Sequence, residues 1–191
     1  MASKEASPER LRLFSDGVFA IIITILVLEL HAPSENQWSA LVDLWPEAVS
    51  YVVSYLFIAI VWVNHHHVLR FADLATSRLI WVNFAHLFTV SLLPFTTSWV
   101  AKTHFGGVAV CAYAGVFVLV NATYIALCSE AVDKPEVPVL SQGARGMMRL
   151  RSLLTLAAFA LGGIVALWHP LVGFGVICCC LITYLRPDTG A

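Results

Sequence analysis

The chain has 191 residues, of which 59% are hydrophobic and 12% are charged, and its formal net charge is −1. A soluble domain of this length needs more charged surface, so the composition indicates a protein that crosses a membrane several times. The basic residues form no cluster, and we expect no nucleic-acid partner. The five cysteines lie in apolar segments without a C-x-x-C pair, which is typical of small buried residues rather than of disulfides or a metal site.

The first apolar segment is short for a membrane helix. It follows residues 10–16, which include charges and a hydroxyl, and it ends before Glu29. Ser7 and Pro8 form a typical helix start, with the serine as N-cap and the proline at the first helical position. Residues 17–28 make only about 18 Å of helix at about 1.5 Å per residue, whereas a bilayer core is roughly 30 Å thick. We therefore expect protein or water around the polar ends of this helix.

Five further apolar segments follow the first. None alternates as a barrel strand does, and backbone groups in lipid must be paired within the segment. The predicted fold class is therefore an all-α membrane protein, with one domain of six transmembrane helices over residues 1–191. Pro94 lies inside the third span and should kink it. The predicted spans cover about residues 14–30, 48–68, 79–100, 108–128, 152–168 and 171–185.

The lysine and arginine residues predict the orientation of these spans. Six spans place both termini on one side, and ten of the eleven basic residues lie on that side: Lys4, Arg10, Arg12, Arg70, Arg78, Lys134, Arg145, Arg149, Arg151 and Arg186. Lys102 lies on the other side. This distribution predicts cytoplasmic termini in a multi-pass protein of the plasma membrane.

The predicted outer side carries a group of acidic residues: Glu29, Glu35, Asp43 and Glu47. Such a group attracts cations if an opening lies beside it. The alternative is that acidic residues only occupy the side on which basic ones are disfavoured.

The first span has an aliphatic stripe. On a helical wheel at about 100° per residue, Ile21, Ile25 and Leu28 fall together, and Thr24 lies about 60° away. Asp16 is about 140° from Ile21. A carboxylate in a membrane helix needs partners inside the bundle, so we expect Asp16 to point toward the second and third helices. The stripe then faces lipid or a symmetry axis, and periodicity alone favours lipid.

Motifs in the first three spans resemble a family of ion channels. They are Arg10-x-x-x-Phe14-Ser15-Asp16 before an isoleucine-rich helix, Trp62-x-x-His65 in the second span, and Asn83 followed eleven residues later by Pro94-Phe95 in the third. Together they are similar to the signature of the transmembrane protein 175 family of potassium channels. The resemblance covers roughly the first half of the chain and is closest to the bacterial single-repeat members.

The resemblance implies a homotetrameric potassium channel whose first helix lines the pore. Ile21, Ile25 and Leu28 are then the pore constriction, and such rings gate by excluding water. Thr24 is implied in potassium preference, although its hydroxyl could equally bond back to the carbonyl of Ala20. A T-V-G-Y-G filter is absent from the sequence, so selectivity should be modest. The implied partners are potassium ions, membrane lipid and further copies of the chain.

The resemblance also implies a structural polar network that holds the first helix. His65 should bond to that helix near Ser15 or Asp16. The expected members are Arg10, Ser15, Asp16, Trp62, His65 and Asn83. Asn121 in the fourth span is a lone intramembrane amide, typical of helix–helix contact.

Three other functions compete with a potassium channel. A proton or non-selective cation leak would use the same fold. A small secondary transporter would need charged residues and broken helices at mid-membrane, where the sequence offers only the break at Pro94. An enzyme would need a metal site, but the adjacent residues His65, His66 and His67 diverge by about 100° each and cannot share one ion. We therefore expect no enzymatic activity, no cofactor and no bound metal.

Overall fold

The computed structural model describes residues 7–131 and 142–185, and within these ranges all regular structure is helical. The helices are α1 (Pro8–Leu28), α2 (Trp38–Asp43), α3 (Trp45–Leu69), α4 (Ser77–Ser91), α5 (Leu93–Lys102), α6 (Gly107–Ala131), α7 (Gln142–Ala166) and α8 (Pro170–Leu185). The predicted all-helical fold is confirmed for this part of the chain. The short α2, which lies inside the polar connection after the first span, was not predicted.

Five stretches of the described residues are long and apolar enough to cross a membrane. They are Pro8–Leu28, Trp45–Leu69, Ser77–Lys102, Gly107–Ala131 and Arg149–Ala166. The predicted sixth span coincides with α8, which has 16 residues and is about 24 Å long. The count of six spans and the side of the termini stay predictions. Of the basic residues used for orientation, Lys4, Lys134 and Arg186 lie outside the described residues.

Local sequence explains where α1 begins. Ser7 caps the helix, because its hydroxyl oxygen accepts a hydrogen bond from the backbone N–H of Arg10 at 3.4 Å. Pro8 occupies the first turn, where its missing N–H costs nothing. The helix therefore starts ahead of the apolar segment and has 21 residues, or about 31 Å. The charged first turns of α1 therefore lengthen the apolar segment 17–28, which by itself is too short to span the bilayer core.

The third predicted span is interrupted beside Pro94. Helix α4 ends at Ser91, α5 begins at Leu93, and Leu92 caps both. Proline has no N–H to donate to the carbonyl of Val90, so the hydrogen-bond ladder breaks at this point. The structure thus shows the third span interrupted beside Pro94, and the size of the kink stays a prediction.

An aromatic cluster forms the centre of the bundle. Phe57 of α3 stacks on Phe117 of α6 with ring centroids 3.7 Å apart, and Phe159 of α7 meets Phe117 edge-on at 5.1 Å. All three side chains are buried. Helix α1 packs against α3, α4 and α5 at one side of the bundle, while α7 and α8 pack together at the other. One face of α1 is consequently left uncovered by the chain.

Candidate functional site on the first helix

Helix α1 has a buried face and an open face. The side chains at every third or fourth position, Leu11, Ser15, Phe19, Ile22 and Leu26, are buried against the rest of the chain. The predicted aliphatic stripe lies on the opposite side, where Ile21 is 58% exposed, Ile25 43% and Leu28 73%. The three side chains therefore share one apolar surface that the chain itself does not cover.

Thr24 lies on the open face beside this stripe. Its hydroxyl donates a hydrogen bond to the carbonyl of Ile21 at 2.8 Å. The acceptor predicted from the sequence, the carbonyl of Ala20, was wrong by one residue, because a helical threonine can reach either the third or the fourth carbonyl before it. With its proton directed at the backbone, the hydroxyl oxygen still has lone pairs for an ion or for water.

A buried polar network fixes the other face of α1. The side-chain amide of Asn83 in α4 donates to the hydroxyl of Ser15 at 3.0 Å, and Ser15 donates to the carbonyl of Leu11 at 2.9 Å. The amide oxygen of Asn83 therefore accepts from Nε2 of His65 in α3, at 2.7 Å. Ser15, His65 and Asn83 are at most 1% exposed. These bonds join α1, α3 and α4 and set the rotation of α1 about its axis.

Asp16 and Trp62 form a second connection between α1 and α3. The indole Nε1 of Trp62 donates to Oδ1 of Asp16 at 2.8 Å. Asp16 is half-buried and Trp62 is 39% exposed, so this bond lies at the edge of the bundle. As expected from the wheel, Asp16 is directed toward a neighbouring helix and not along the stripe of Ile21.

The structure does not bring Arg10 into this network. Arg10 is exposed, and no hydrogen bond or ion pair of its side chain occurs within the described part of the chain.

Arg12 is the residue that sequence reasoning missed. Its Nε donates to the carbonyl of Leu69 at 3.0 Å and its Nη2 to the carbonyl of Ala72 at 3.4 Å. Arg12 lies about 180° around the helix from Ile21, so the wheel could have placed it inward.

The Arg12 contacts have a clear physical role. They satisfy carbonyls at and just after the C-terminal end of α3, where the helix dipole favours a positive charge. They anchor the start of α1 to α3, the helix whose Trp62 also bonds to Asp16.

The C-terminal end of α1 is closed by Glu29. This residue caps the helix, and its Oε2 lies 4.0 Å from Nζ of Lys102 at the end of α5. The other acidic residues of the predicted mouth, Glu35, Asp43 and Glu47, lie in or beside α2 and at the start of α3. Lys102, the single basic residue of the predicted outer side, therefore lies near Glu29, the acidic residue that directly follows Leu28 of the aliphatic stripe.

The histidines next to the network do not form a metal centre. His65 and His86 have parallel rings with centroids 5.7 Å apart, and His86 lies 3.0 Å from the hydroxyl of Thr123. His66 and His67 are turned away from this pair. Across residues 7–131 and 142–185, no three His, Cys, Asp or Glu side chains are grouped so as to hold a metal ion.

Comparison with known proteins identifies the family. Residues 10–94 match the family model described as the endosomal/lysosomal potassium channel TMEM175. A protein of Chamaesiphon minutus named as a potassium channel is 30% identical over 186 residues, which cover 87% of this chain and 89% of that one. The chain belongs to the TMEM175 family. This is a family of membrane-spanning ion channels, and the resemblance read from the motifs is confirmed.

Further TMEM175 relatives match nearly the whole chain. A protein of Chryseobacterium sp. named as a potassium channel is 29% identical over 179 residues, or 94% of this chain and 93% of that one. The crystal structure of a lysosomal potassium-selective channel TMEM175 homolog from Chamaesiphon minutus aligns with a TM-score of 0.83 at 25% identity, covering 93% and 95% of the two chains. Vertebrate relatives that match about half of this chain are named proton channels.

Proposed function

We propose that this chain is one subunit of a homotetrameric cation channel that conducts potassium with modest selectivity. The observation that carries the proposal is the open apolar stripe of Ile21, Ile25 and Leu28 on a helix whose opposite face is fixed by polar bonds. One helix cannot enclose a pore, so copies of α1 must surround the path. The names of the bacterial relatives support potassium as the ion.

A ring of Ile21 side chains is the proposed constriction. Aliphatic side chains converging on an axis exclude water, and an ion must shed part of its hydration to pass. Ile25 and Leu28 continue the apolar path toward Glu29. Potassium binds its hydration water less tightly than sodium, so such a ring favours potassium without a carbonyl filter. The preference remains modest because few protein oxygens replace the lost water.

Thr24 supplies the oxygens that the stripe lacks. Its hydroxyl is exposed on the pore side, and its bond to the Ile21 carbonyl holds it in one rotamer. Four such hydroxyls, one from each subunit, would present lone pairs to an ion near the Ile21 ring. We assign to Thr24 a role in ion preference.

The polar network has a supporting role in this proposal. Ser15, Asp16, Trp62, His65 and Asn83 hold α1 in the rotation that directs Ile21 to the axis, and none of them needs to contact an ion. A rotation of α1 by one residue, about 100°, would replace Ile21 by a neighbour in the constriction. We therefore expect damage to this network to affect assembly before it affects selectivity.

The outer mouth and the topology complete the proposal. Residues 1–191 form one six-helix domain in the plasma membrane with both termini in the cytoplasm, and Glu29 faces the outer solution. Reporter fusions after Leu30 and Lys102 should report the outside, and fusions after Arg78, after Arg145 and at the C-terminus should report the inside. A C-terminus outside the cell would contradict the orientation and the span count together.

Ion flux into liposomes tests the function. Purified protein reconstituted at defined density should admit potassium faster than sodium down matched gradients and should exclude N-methyl-D-glucamine. Protein-free liposomes are the control. Absence of potassium flux from liposomes that contain folded, assembled protein would contradict the proposal.

Proton conduction is the second candidate, because vertebrate members of the family are named proton channels. A pH-sensitive dye inside the same liposomes separates the two functions. Acidification in the absence of potassium flux would favour the proton channel, and potassium flux at constant internal pH would favour the potassium channel.

A further inference from the structure

A half-open cavity of about 40 Å³ lies behind α3, among residues of α3, α6, α7 and α8. Part of its wall is apolar, formed by Phe57, Phe159 and Leu181. The rest is polar and includes the side chains of Asn64, Asn121 and Thr155. A polar wall in the membrane interior of a bundle needs an explanation, because amides and hydroxyls must find partners there.

Asn121 is the residue that makes this cavity unusual. Its side chain is 8% exposed, and its Oδ1 is buried without a hydrogen-bond donor from the described protein groups. An amide oxygen left unpaired in an apolar surrounding is unfavourable, because it has lost its water without gaining a donor. The sequence interpretation of Asn121 as a helix–helix contact accounts for its position in α6 but supplies no donor for this atom.

The size and chemistry of the cavity restrict what can donate to Asn121. A volume of about 40 Å³ holds about three water molecules at roughly 10–15 Å³ each. An acyl chain would fill the space but carries no donor, and a lipid headgroup is too large. Water fits the volume and offers two donors per molecule.

The neighbouring polar groups suit water as well. Thr155 donates its proton to the carbonyl of Arg151 at 3.0 Å, which leaves its oxygen as an acceptor. Asn64 is half-buried at the edge of the cavity. A cluster of water at this place would have protein partners on three different helices.

We propose that this cavity is a water-binding site in which water donates to Oδ1 of Asn121 and also contacts Asn64 and Thr155. Hydrogen bonds to water then connect α3, α6 and α7. Helix α3 is also the helix that contacts α1. The test of this site does not depend on ion conduction, because water occupancy is read from a crystal structure and not from ion flux.

Crystallography of the full chain tests the proposal directly. Parent crystals at a resolution that resolves water should show about three ordered water peaks in the cavity, one within hydrogen-bond distance of Oδ1 of Asn121. The same crystals under xenon pressure should show no xenon there. Xenon or acyl-chain density in the parent cavity, or an absence of water near Oδ1, would overturn the proposal.

Two variants sharpen the result. Asn121→Val removes the polar anchor, and the cavity should then take up xenon in place of water, as apolar cavities do. Leu119→Val, which changes an exposed side chain of the same helix, should keep the parent's water. Water retained in Asn121→Val would contradict the role of Asn121. If that variant does not fold, the parent crystals still decide between water and no water.

Discussion

The first half of the chain and the second half are held together in different ways. Helices α1, α3, α4 and α5 are joined across helix boundaries by side-chain hydrogen bonds, such as those of Asn83 to Ser15 and His65. Helix α7 approaches both α6 and α8 through small residues. A Cβ placed on Gly173 would lie 2.6 Å from Cβ of Ala166, and one on Gly163 would lie 3.0 Å from Cβ of Ala114.

The difference reflects what each half must control. Hydrogen bonds are directional, so they fix the rotation of a helix about its axis as well as its position. Close packing of glycine and alanine brings helices together in a membrane but depends mainly on shape. The first half, which carries the proposed pore helix, uses hydrogen bonds, which specify helix rotation. The second half uses close packing of small residues, which specifies the distance between helices.

The largest effect should come from filling the glycine contact in the second half. Gly173→Ala adds a methyl group where Ala166 leaves no space, and overpacking of this kind costs about 1–3 kcal/mol or more. We expect a lower unfolding temperature and a lower yield of folded protein. Gly175→Ala is the matched control, because a Cβ there meets nothing within 4 Å. Equal losses in the two variants would contradict the packing account.

The next largest effect should come from the first half. Asn83→Leu removes the donor to Ser15 and the acceptor from His65. Ser15 keeps its bond to the carbonyl of Leu11, but the buried Nε2 of His65 is left unpaired. The expected loss of unfolding free energy is about 1–3 kcal/mol, the usual cost of one unpaired buried group. Ser91→Ala on the same helix is the control, because Ser91 is exposed and bonds only to its own helix, at the carbonyl of Phe88. A stability equal to that of the control would show that the network does not hold α1.

The junction of the two halves should give an intermediate effect. Ser54 of α3 lies 2.7 Å from the hydroxyls of both Thr97 in α5 and Tyr113 in α6. Ser54→Ala should cost about 1–2 kcal/mol, because it leaves the buried Tyr113 hydroxyl without a partner. Combining it with Tyr113→Phe should cost less than the sum of the two single changes. Additive losses would mean that the two residues do not interact.

The smallest effect should come from the edge of the network. Trp62→Phe removes the donor to Asp16, but the half-exposed carboxylate can turn to water, so we expect a loss below about 1 kcal/mol. Asp16→Asn keeps an oxygen acceptor for Trp62 and should cost no more than Trp62→Phe. Thermal unfolding of both variants beside Asn83→Leu measures the ranking. If Trp62→Phe or Asp16→Asn proves less stable than Asn83→Leu, the bond between Trp62 and Asp16 contributes more than those of Asn83, which would contradict our ranking.

Much of the first half could be predicted from its sequence. The serine–proline start of α1, the break at Pro94 and the opposite directions of Asp16 and Ile21 follow from local rules of helix geometry. The connection between Ser15, His65 and Asn83 needed the family resemblance, because spacing alone does not show which helices are neighbours.

Features that depend on contacts between distant helices were not predicted. Arg12 binds carbonyls at the end of α3, and Arg10, two residues earlier, does not enter the network. The helical wheel separates the two arginines, but the carbonyls that Arg12 binds depend on where α3 ends relative to α1. The contact of Gly173 with Ala166 and the cavity beside Asn121 likewise arise from how closely particular helices approach. The residue patterns contain no measure of that distance.

The most direct test of the pore assignment compares Ile21 with its immediate neighbour. Ile21→Ala should raise cation flux into liposomes by about tenfold, equivalent to about 1.4 kcal/mol of barrier, and should weaken the preference for potassium over sodium. Ile22→Ala shortens a side chain that is 4% exposed in the core, so it should lower the yield of folded protein but leave the flux per reconstituted channel unchanged. If both variants change flux equally, or if neither does, the open face of α1 contacts lipid and does not line the pore.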